Sequence, residues 1–321
     1  MQAVGDGRSD RAILAIGIPV SLAILYVVLE TAFPIVYDAV WSDLCAIGHW
    51  LDTGMLCNPY LQRGLTTGVF IGVAGPLIGT YLVNRQMALI GEALAHTAFA
   101  GVAIGLVVGS WVEWVDDPLL VAVLVAAVAA LGLQYLAEHT DAYGDVPIAI
   151  LLVGSFALGI AIITYGFAFG RTAQGYLFGS ILTVTFANVQ LMAGLSALVV
   201  GIVGLTHKQL LFITVDREAA RLARIDVRLY DALLVLLTAL VVVAAMQILG
   251  AILVAAMLVV PVAAAMQLAD GFTGTLYLAV IVGELSVLLG VVISYWLGIA
   301  TGSSIVLVGI AIYLLAVVGT R

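Results

Sequence analysis

Long stretches of this chain are apolar on every face. Two of them, Leu119–Ala137 and Leu233–Met246, contain no charged residue and show no alternation of apolar and polar positions. The strands of a membrane barrel need that alternation, so these stretches indicate helices that cross a bilayer. Of the 321 residues, 64% are hydrophobic and 9% are charged, whereas about a quarter of the residues in soluble domains are charged. The sequence therefore predicts an all-α polytopic membrane protein without a soluble catalytic domain.

About ten spans of about 20 residues each fit the chain and leave only short loops between them. We expect the spans near residues 12–31, 65–84, 93–111, 119–138, 147–168, 188–206, 231–248, 250–268, 274–297 and 302–319. The first run follows a short polar start and superficially looks like a signal peptide. Because an acidic segment follows it and no A-x-A-like site stands directly after it, we interpret it as an uncleaved span.

The basic residues indicate how the spans are oriented. An even number of spans places both termini on one side of the membrane, and the positive-inside rule makes that side the cytoplasm. In this orientation every Lys and Arg except Arg63 and Arg171 is cytoplasmic. We therefore expect a multi-pass protein of the cell (plasma) membrane with both termini in the cytoplasm. The outer loops collect acidic residues, which is compatible with cation attraction and equally with plain solvation.

The chain contains two cysteines, Cys45 and Cys57, in the loop that follows the first predicted span. If they lie outside the cell they can form one disulfide, since disulfides persist in oxidising compartments. They can equally be unpaired thiols, and the sequence alone does not decide between these two states.

The longest predicted cytoplasmic loop, His207–Tyr230, has the pattern of a short helix. Asp216 can cap the helix, Arg217–Arg224 suits about two turns, and Leu222 and Ile225 supply an apolar side. One interpretation is an interfacial segment at the bilayer surface, and the other is a docking element for a cytoplasmic partner. The residues alone support both equally.

A carboxylate and an imidazole lie four residues apart within a predicted span, as Glu92 and His96 in QMALIGEALAHTAFAGVAIG. On a helix they share one face and can direct two ligand atoms at one ion. Oxygen and imidazole nitrogen together suit first-row divalent metals, and a two-ligand site binds weakly, as a transport path requires. The alternative is an internal hydrogen-bonded pair near the inner end of the span.

Glu284, in the segment IVGELSVLLG, is the other acid deep in a predicted span. Ionisable groups at membrane depth are costly and therefore count as functional candidates. Glu284 is either a structural buried polar group or a second element of an ion path.

Motifs for covalent chemistry are missing from the chain. It has no GxxxxGK[ST] phosphate loop, no G-x-S-x-G nucleophile elbow and no H-E-x-x-H zinc motif, and each of these reactions depends on its motif. We therefore predict that the chain is not an enzyme and does not itself hydrolyse ATP, and we expect no nucleic-acid partner.

Five segments carry a family resemblance. They are QRGLTTGVFIGVAGPLIGTYLVNRQMALIGEALAHTAFAGVAIG, GYLFGSILTVT, VDREAARLARI, QILGAILVAAMLVVPVAAAMQLA and GIATGSSIVLV. Their order and content resemble the permease subunit of the zinc, manganese and iron ABC importers, from about Pro59 to the C terminus. The resemblance implies two parts: residues 1–58, an extra span with an acidic extracellular loop, and residues 59–321, the permease domain. With the extra span the layout is similar to that of the ten-span cobalamin and siderophore importer permeases.

The resemblance also implies roles for individual residues. Family members typically show Asp and then Ser-His in the segment that matches Glu92 to His96, and this acid and histidine look like the cation-contacting pair. Here the acid is Glu, and Ala95 precedes the histidine. Pro261 matches the family's proline-containing span, where a kink helps gating.

The segment Asp216 to Ile225 resembles the coupling helix that docks into a cleft on the ATPase subunit. The family usually has Gly where Arg224 stands. The residues that the resemblance assigns to docking are Asp216, Arg217, Glu218, Ala219, Arg221 and Arg224.

The mechanism implied by the resemblance is alternating access in a homodimeric permease within membrane lipid. An extracellular metal-binding protein delivers zinc, manganese or iron, two cytoplasmic ABC ATPase subunits drive the change, and no cofactor is bound permanently. Two alternatives remain open at this point. One is an ABC permease for iron chelates or cobalamin, and the other is an ATP-independent secondary cation transporter that uses Glu92, His96 and Glu284.

Overall fold

The computed structural model describes residue 28, residues 30–46, residue 48 and residues 54–110, 118–139, 146–165, 175–177, 179 and 184–320. The predicted first span, residues 12–31, falls almost entirely outside these residues. The helices are α1 (30–46), α2 (Pro59–Asn84), α3 (Ile90–Gly109), α4 (Pro118–His139), α5 (Val146–Tyr165), α6 (Phe186–Val215), α7 (Arg217–Leu222), α8 (Val227–Leu249), α9 (Ala251–Leu268), α10 (Phe272–Leu297) and α11 (Thr301–Gly319). A short turn of 3-10 helix, Gly54–Cys57, precedes α2.

Eight of the described helices are long and apolar enough to cross a membrane: α2 to α6, α8, α10 and α11. The apolar part of α9, Leu253–Leu268, is shorter. These nine helices correspond to the nine spans that the sequence predicts after the first. The all-helical membrane fold is thereby confirmed for the described part of the chain.

One predicted boundary is wrong. We expected the span in α6 to end near residue 206, but the helix continues to Val215 and takes in the first part of the predicted loop. The segment HKQLLFITV contains no Gly or Pro that would stop a helix. The helix ends only where Asp216 adopts an extended backbone, with φ −148° and ψ 102°.

The helices α2 and α3 form the centre of the fold. In α2, 72% of the span residues are buried inside the chain, and in α3 the share is 78%. The corresponding shares are 22% for α4 and 11% for α5. Because α4 and α5 are apolar on their exposed sides, those sides suit lipid or a second protein chain. Among the described spans, α2 and α3 therefore have the largest buried shares.

Close contact between α2 and α9 depends on a glycine. A side chain built at Gly79 would overlap the backbone carbonyl oxygen of Leu258 in α9. Small residues at such contacts allow two membrane helices to approach each other closely. Gly79 therefore sets the distance between α2 and α9.

Each of α2 and α9 also contains an internal proline, Pro76 and Pro261. Proline has no N–H, so the carbonyl four residues earlier loses its helical donor. The carbonyl oxygen freed by Pro76 belongs to Gly72, and it lies 2.7 Å from where a Cβ on Gly283 of α10 would stand. The helices α2 and α10 therefore meet at a point where the hydrogen bonding of α2 is interrupted.

The helix α1 is attached to the beginning of α2. The structure joins Cys45 and Cys57 in a disulfide with a Cα–Cα distance of 4.8 Å. Trp41 of α1 donates from its indole Nε1 to Oγ1 of Thr66 in α2 at 3.0 Å. The disulfide and the Trp41 hydrogen bond thus hold α1 beside the first turns of α2.

Candidate metal site and docking helix

Glu92 and His96 lie on one face of α3, as their spacing predicts. Glu92 is in the first turn of the helix, where the helix dipole favours a carboxylate. Its Oε1 lies 4.0 Å from Nε2 of His96, and the Glu92 side chain is 45% exposed while that of His96 is 12% exposed. The pair therefore has a protected imidazole and a carboxylate that faces outward.

The separation of 4.0 Å between these atoms is too long for a hydrogen bond. Two ligand atoms that each lie about 2.1 Å from a shared ion are roughly 3 to 3.5 Å apart. A small rotation of the Glu92 side chain therefore brings both atoms into chelating range. The same rotation also brings the two atoms within hydrogen-bond distance, so the separation fits a shared cation and an internal hydrogen-bonded pair alike.

The other nitrogen of His96, Nδ1, is buried and has no hydrogen-bond partner among the described residues. The imidazole packs edge-on against Phe156 of α5, with ring centroids 4.7 Å apart and an interplanar angle of 67°. A proton on Nδ1 leaves the lone pair of Nε2 available on the side of Glu92. Phe156 therefore restrains the ring in an orientation that places Nε2 on the side of Glu92.

No group of three or more His, Cys, Asp or Glu residues is positioned to hold a metal anywhere in the described part of the chain. Glu284 lies instead where α10 packs on α2. Its Oε1 is buried without a partner among the described residues and lies 3.0 Å from where a Cβ on Gly72 would stand. One chain thus supplies two candidate ligands in its α3 site.

The predicted docking helix is α7, and its start is fixed by Asp216. The Asp216 carboxylate accepts a hydrogen bond from the backbone N–H of Ala219 at 2.9 Å, which satisfies one of the free donors of the first turn. Arg221 and Glu218 form an ion pair on the exposed surface at 2.9 Å. The helix therefore presents a charged outer face.

The end of α7 differs from the expected two turns to Arg224, because the helix stops at Leu222. The N–H of Ile225 donates to the carbonyl oxygen of Ala220 at 3.1 Å, and the N–H of Arg224 donates to the carbonyl oxygen of Arg221 at 3.0 Å. This pair of bonds is the Schellman motif, which needs a left-handed residue after the helix. Arg224 occupies that position with φ 62°.

The predicted apolar side of α7 is only partly buried against the described part of the chain. Leu222 is 86% exposed and Ile225 is half-buried, whereas Ala220 is the fully buried residue of the helix. The exposed Leu222 fits a docking surface and a segment at the bilayer interface alike.

Sequence reasoning missed a polar cluster beneath α7. Asp231 lies near the start of α8. Its Oδ1 accepts a hydrogen bond from Nη1 of Arg85 at 2.7 Å, and its Oδ2 accepts one from Nη2 of Arg217 at 2.5 Å. Burial lowers the pKa of the Arg85 guanidinium, and the Asp231 carboxylate opposes that shift. An acid near the start of an apolar span and an arginine just after another span were the available signals.

Comparison with known proteins identifies the family. A family model described as the ABC 3 transport family matches residues 58–320. The manganese transport system membrane protein MntC of Halalkalibacterium halodurans is 34% identical over 234 residues, which cover 73% of this chain and 78% of that protein. The manganese import system permease protein ScaB of Streptococcus parasanguinis is 31% identical over 231 residues, covering 72% and 80%.

A solved structure agrees with these relatives. PsaBC from Streptococcus pneumoniae, in complex with Fab, superposes with a TM-score of 0.74 and 31% identity, covering 84% of this chain and 95% of that one. The resemblance drawn from the sequence segments is confirmed at the level of the family. The chain belongs to the ABC 3 transport family.

Proposed function

We propose that this chain is the transmembrane permease subunit of an ATP-driven importer of divalent metal cations. The observation that carries the proposal is the Glu92–His96 pair on α3, one of the two most buried spans. Family membership supports it, as do relatives that are named for manganese transport. The metal is the transported substrate, and zinc, manganese and iron all fit a carboxylate and an imidazole.

Two ligands per chain hold a metal weakly, and the exposed side of Glu92 leaves room for further ligands. A homodimer brings a second copy of the same pair to the site. This arrangement binds a cation during passage and still releases it, because a transport site must be weak enough to let its substrate leave.

The energy for transport comes from partner ATPase subunits in this proposal, since the chain has no phosphate-binding loop. The helix α7 is the coupling helix, and its exposed charged face and Leu222 suit a cleft on a cytoplasmic partner. An extracellular metal-binding protein delivers the cation from the other side of the membrane.

The two ends of α2 support the proposed orientation. The disulfide of Cys57 lies at its beginning, and Arg85 beside α7 lies at its end. A helix of 26 residues is about 39 Å long, enough to separate these features across a bilayer. A disulfide belongs on the oxidising outer side, so the proposal places α7 in the cytoplasm. With the predicted first span, the proposal places both termini there as well.

Deleting the gene and measuring the cellular content of several metals tests this function. We expect loss of one divalent metal and its return when the intact chain is supplied. Loss of a chelated iron compound or of cobalamin alone, with free divalent metals unchanged, would instead favour the permease for bulky ligands.

Docking is tested separately by reversing the charges of Arg217 and Arg221 to Glu. We expect weaker co-purification of the ATPase, because both arginines lie on α7 and have exposed side chains. The matched control is Arg63→Glu, which makes the same change near the start of α2. Full retention of the ATPase by the α7 variant would return that helix to an interfacial role.

A further inference from the structure

Asp231 joins two arginines that belong to different parts of the molecule. Arg85 lies directly after α2 and Arg217 is the first residue of α7. Each arginine binds a different carboxylate oxygen of Asp231, at 2.7 Å and 2.5 Å. A single carboxylate therefore connects the candidate docking helix to the end of a central span.

The Arg85 side of this connection is firmly held. In addition to its bond with Asp231, the Arg85 guanidinium makes two hydrogen bonds to α6. Its Nε donates to Oγ1 of Thr214 at 2.9 Å, and its Nη2 donates to the carbonyl oxygen of Leu210 at 3.1 Å. Its side chain is only 8% exposed. A buried charge cannot lose its partner without a large penalty, so Arg85 and Asp231 should move together.

The Arg217 end of this connection is accessible to a protein that binds α7. The Arg217 side chain is 48% exposed, and α7 is only six residues long. Arg221 pairs with Glu218 on the same helix, whereas Arg217 reaches across to a span. A shift of α7 therefore acts on Asp231 through Arg217.

The connection continues from Arg85 to the candidate metal site through a tight turn. Gln86 has φ 60°, and the N–H groups of Gln86 and Met87 donate back to carbonyls in the last turn of α2, at 3.0 and 2.8 Å. The N–H of Ile90, where α3 begins, donates to the carbonyl of Met87 at 3.1 Å. Glu92 follows in the first turn of α3, so a movement of Arg85 is transmitted to the metal ligands.

We propose that Asp231 is a positioning residue that converts movement of α7 into movement of α2 and α3, and so links ATP hydrolysis to passage of the metal. This inference rests on the proposed function. It adds that the carboxylate of Asp231, together with Arg85 and Arg217, sets how many metal ions are moved for each ATP hydrolysed.

The test uses the complete permease–ATPase complex in proteoliposomes, with uptake of the metal identified by the deletion experiment and ATP hydrolysis measured in the same sample. Asp231→Asn keeps the shape of the side chain but removes its charge. We expect the complex to assemble and hydrolyse ATP, while metal moved per ATP falls about tenfold, within the usual range of coupling between sites. The matched control is Asp270→Asn, which removes the same charge at an exposed position between α9 and α10.

Arg217→Gln gives a second test that leaves the buried Arg85–Asp231 pair in place. If Asp231→Asn does not fold, Arg217→Gln alone tests the proposed role of Asp231. We expect the same fall in metal per ATP. Asp231→Glu restores the carboxylate and should recover part of the ratio. A purely structural role would instead lower assembly, ATP hydrolysis and uptake together and leave the ratio unchanged.

The possible outcomes separate the two proposals. If the wild type imports metal with ATP while Asp231→Asn and Arg217→Gln keep its ratio, the role of Asp231 is wrong and the proposed function stands. If the wild-type complex shows no ATP-dependent metal uptake at all, the proposed function is wrong. The proposed role of Asp231 is then wrong as well.

Discussion

Glu92 and His96 form a candidate site in which one ligand is exposed and the other is fixed. The edge-on contact with Phe156 restrains the imidazole, while the Glu92 carboxylate can rotate because nearly half of its side chain is exposed. A transport site must bind its cation and also release it, and an exposed, mobile ligand makes release easier. We therefore assign capture and release to Glu92 and retention to His96.

Replacing Glu92 tests this assignment. Glu92→Gln removes the charge and should lower the initial rate of metal uptake at least about tenfold, since even changes next to a metal ligand cost that much in affinity. Glu92→Asp keeps the carboxylate and should retain most of the rate. Equal uptake by the Gln variant and the wild type would remove Glu92 from the path.

Arg224 is a second residue whose conformation makes a prediction. It adopts φ 62° after α7, a region that costs a side-chain-bearing residue about 1 kcal/mol or more. Arg224→Gly should therefore raise the melting temperature of the purified permease in detergent. Arg221→Gly, within the helical part of α7, is the control. It should lower the melting temperature, because glycine inside a helix costs about 1 kcal/mol of stability. A lower melting temperature for Arg224→Gly would show that the arginine makes a compensating contact.

At the level of helices, α2 organises the molecule. It contacts α9 through Gly79 and α10 through Gly72, and it ends at Arg85 beside the docking helix. The prolines in α2 and α9 interrupt the hydrogen bonding of both helices near these contacts. The two described helices with an internal proline, α2 and α9, are thus our candidates for a gating movement.

The packing of α2 against α9 is tested by Gly79→Ala. The added methyl group would overlap the carbonyl of Leu258, so we expect a loss of about 1–3 kcal/mol of stability, read as a lower melting temperature. Gly132→Ala in α4, where nothing lies within 4 Å of the new methyl group, should be neutral or stabilising. The same melting temperature for both variants would contradict this packing.

Pro261 is proposed to assist gating, and Pro261→Ala tests it. The alanine N–H can donate to the carbonyl of Met257 and stiffen α9. We expect equal or higher thermal stability together with slower uptake. Pro118→Ala is the control, because Pro118 is the first residue of α4 and its missing N–H has no helical acceptor there. Unchanged uptake by Pro261→Ala would assign the proline a purely structural role.

Much of this helical arrangement follows from hydrophobicity. Nine predicted spans correspond to helices, because runs as apolar as Leu233–Met246 have only one stable form in a bilayer. The boundaries were less accurate, as for α6, since membrane depth does not stop a helix and only a cap or breaker does. The Glu92–His96 geometry was predictable because it is local. Phe156 and Asp231 were not, because their contacts join residues far apart in sequence.

At the level of the whole molecule, the proposed function requires a second copy of the chain and further subunits. The described residues of one chain supply two candidate metal ligands in the α3 site and one short docking helix. Only 11% of the span residues of α5 are buried within the chain, so the side of α5 that faces away from α3 is available to lipid or to another subunit. We propose that a homodimer with two ATPase subunits completes both the candidate site and the source of energy.

The most direct measurement is uptake of manganese, zinc and iron into proteoliposomes that contain the permease with its ATPase. We predict that at least one of these metals accumulates when ATP is hydrolysed, and that uptake falls at least about tenfold in Glu92→Gln and in His96→Ala. An imposed proton gradient without ATP should produce no accumulation. Uptake that follows the proton gradient and ignores ATP would contradict the proposed function and identify a secondary cation transporter.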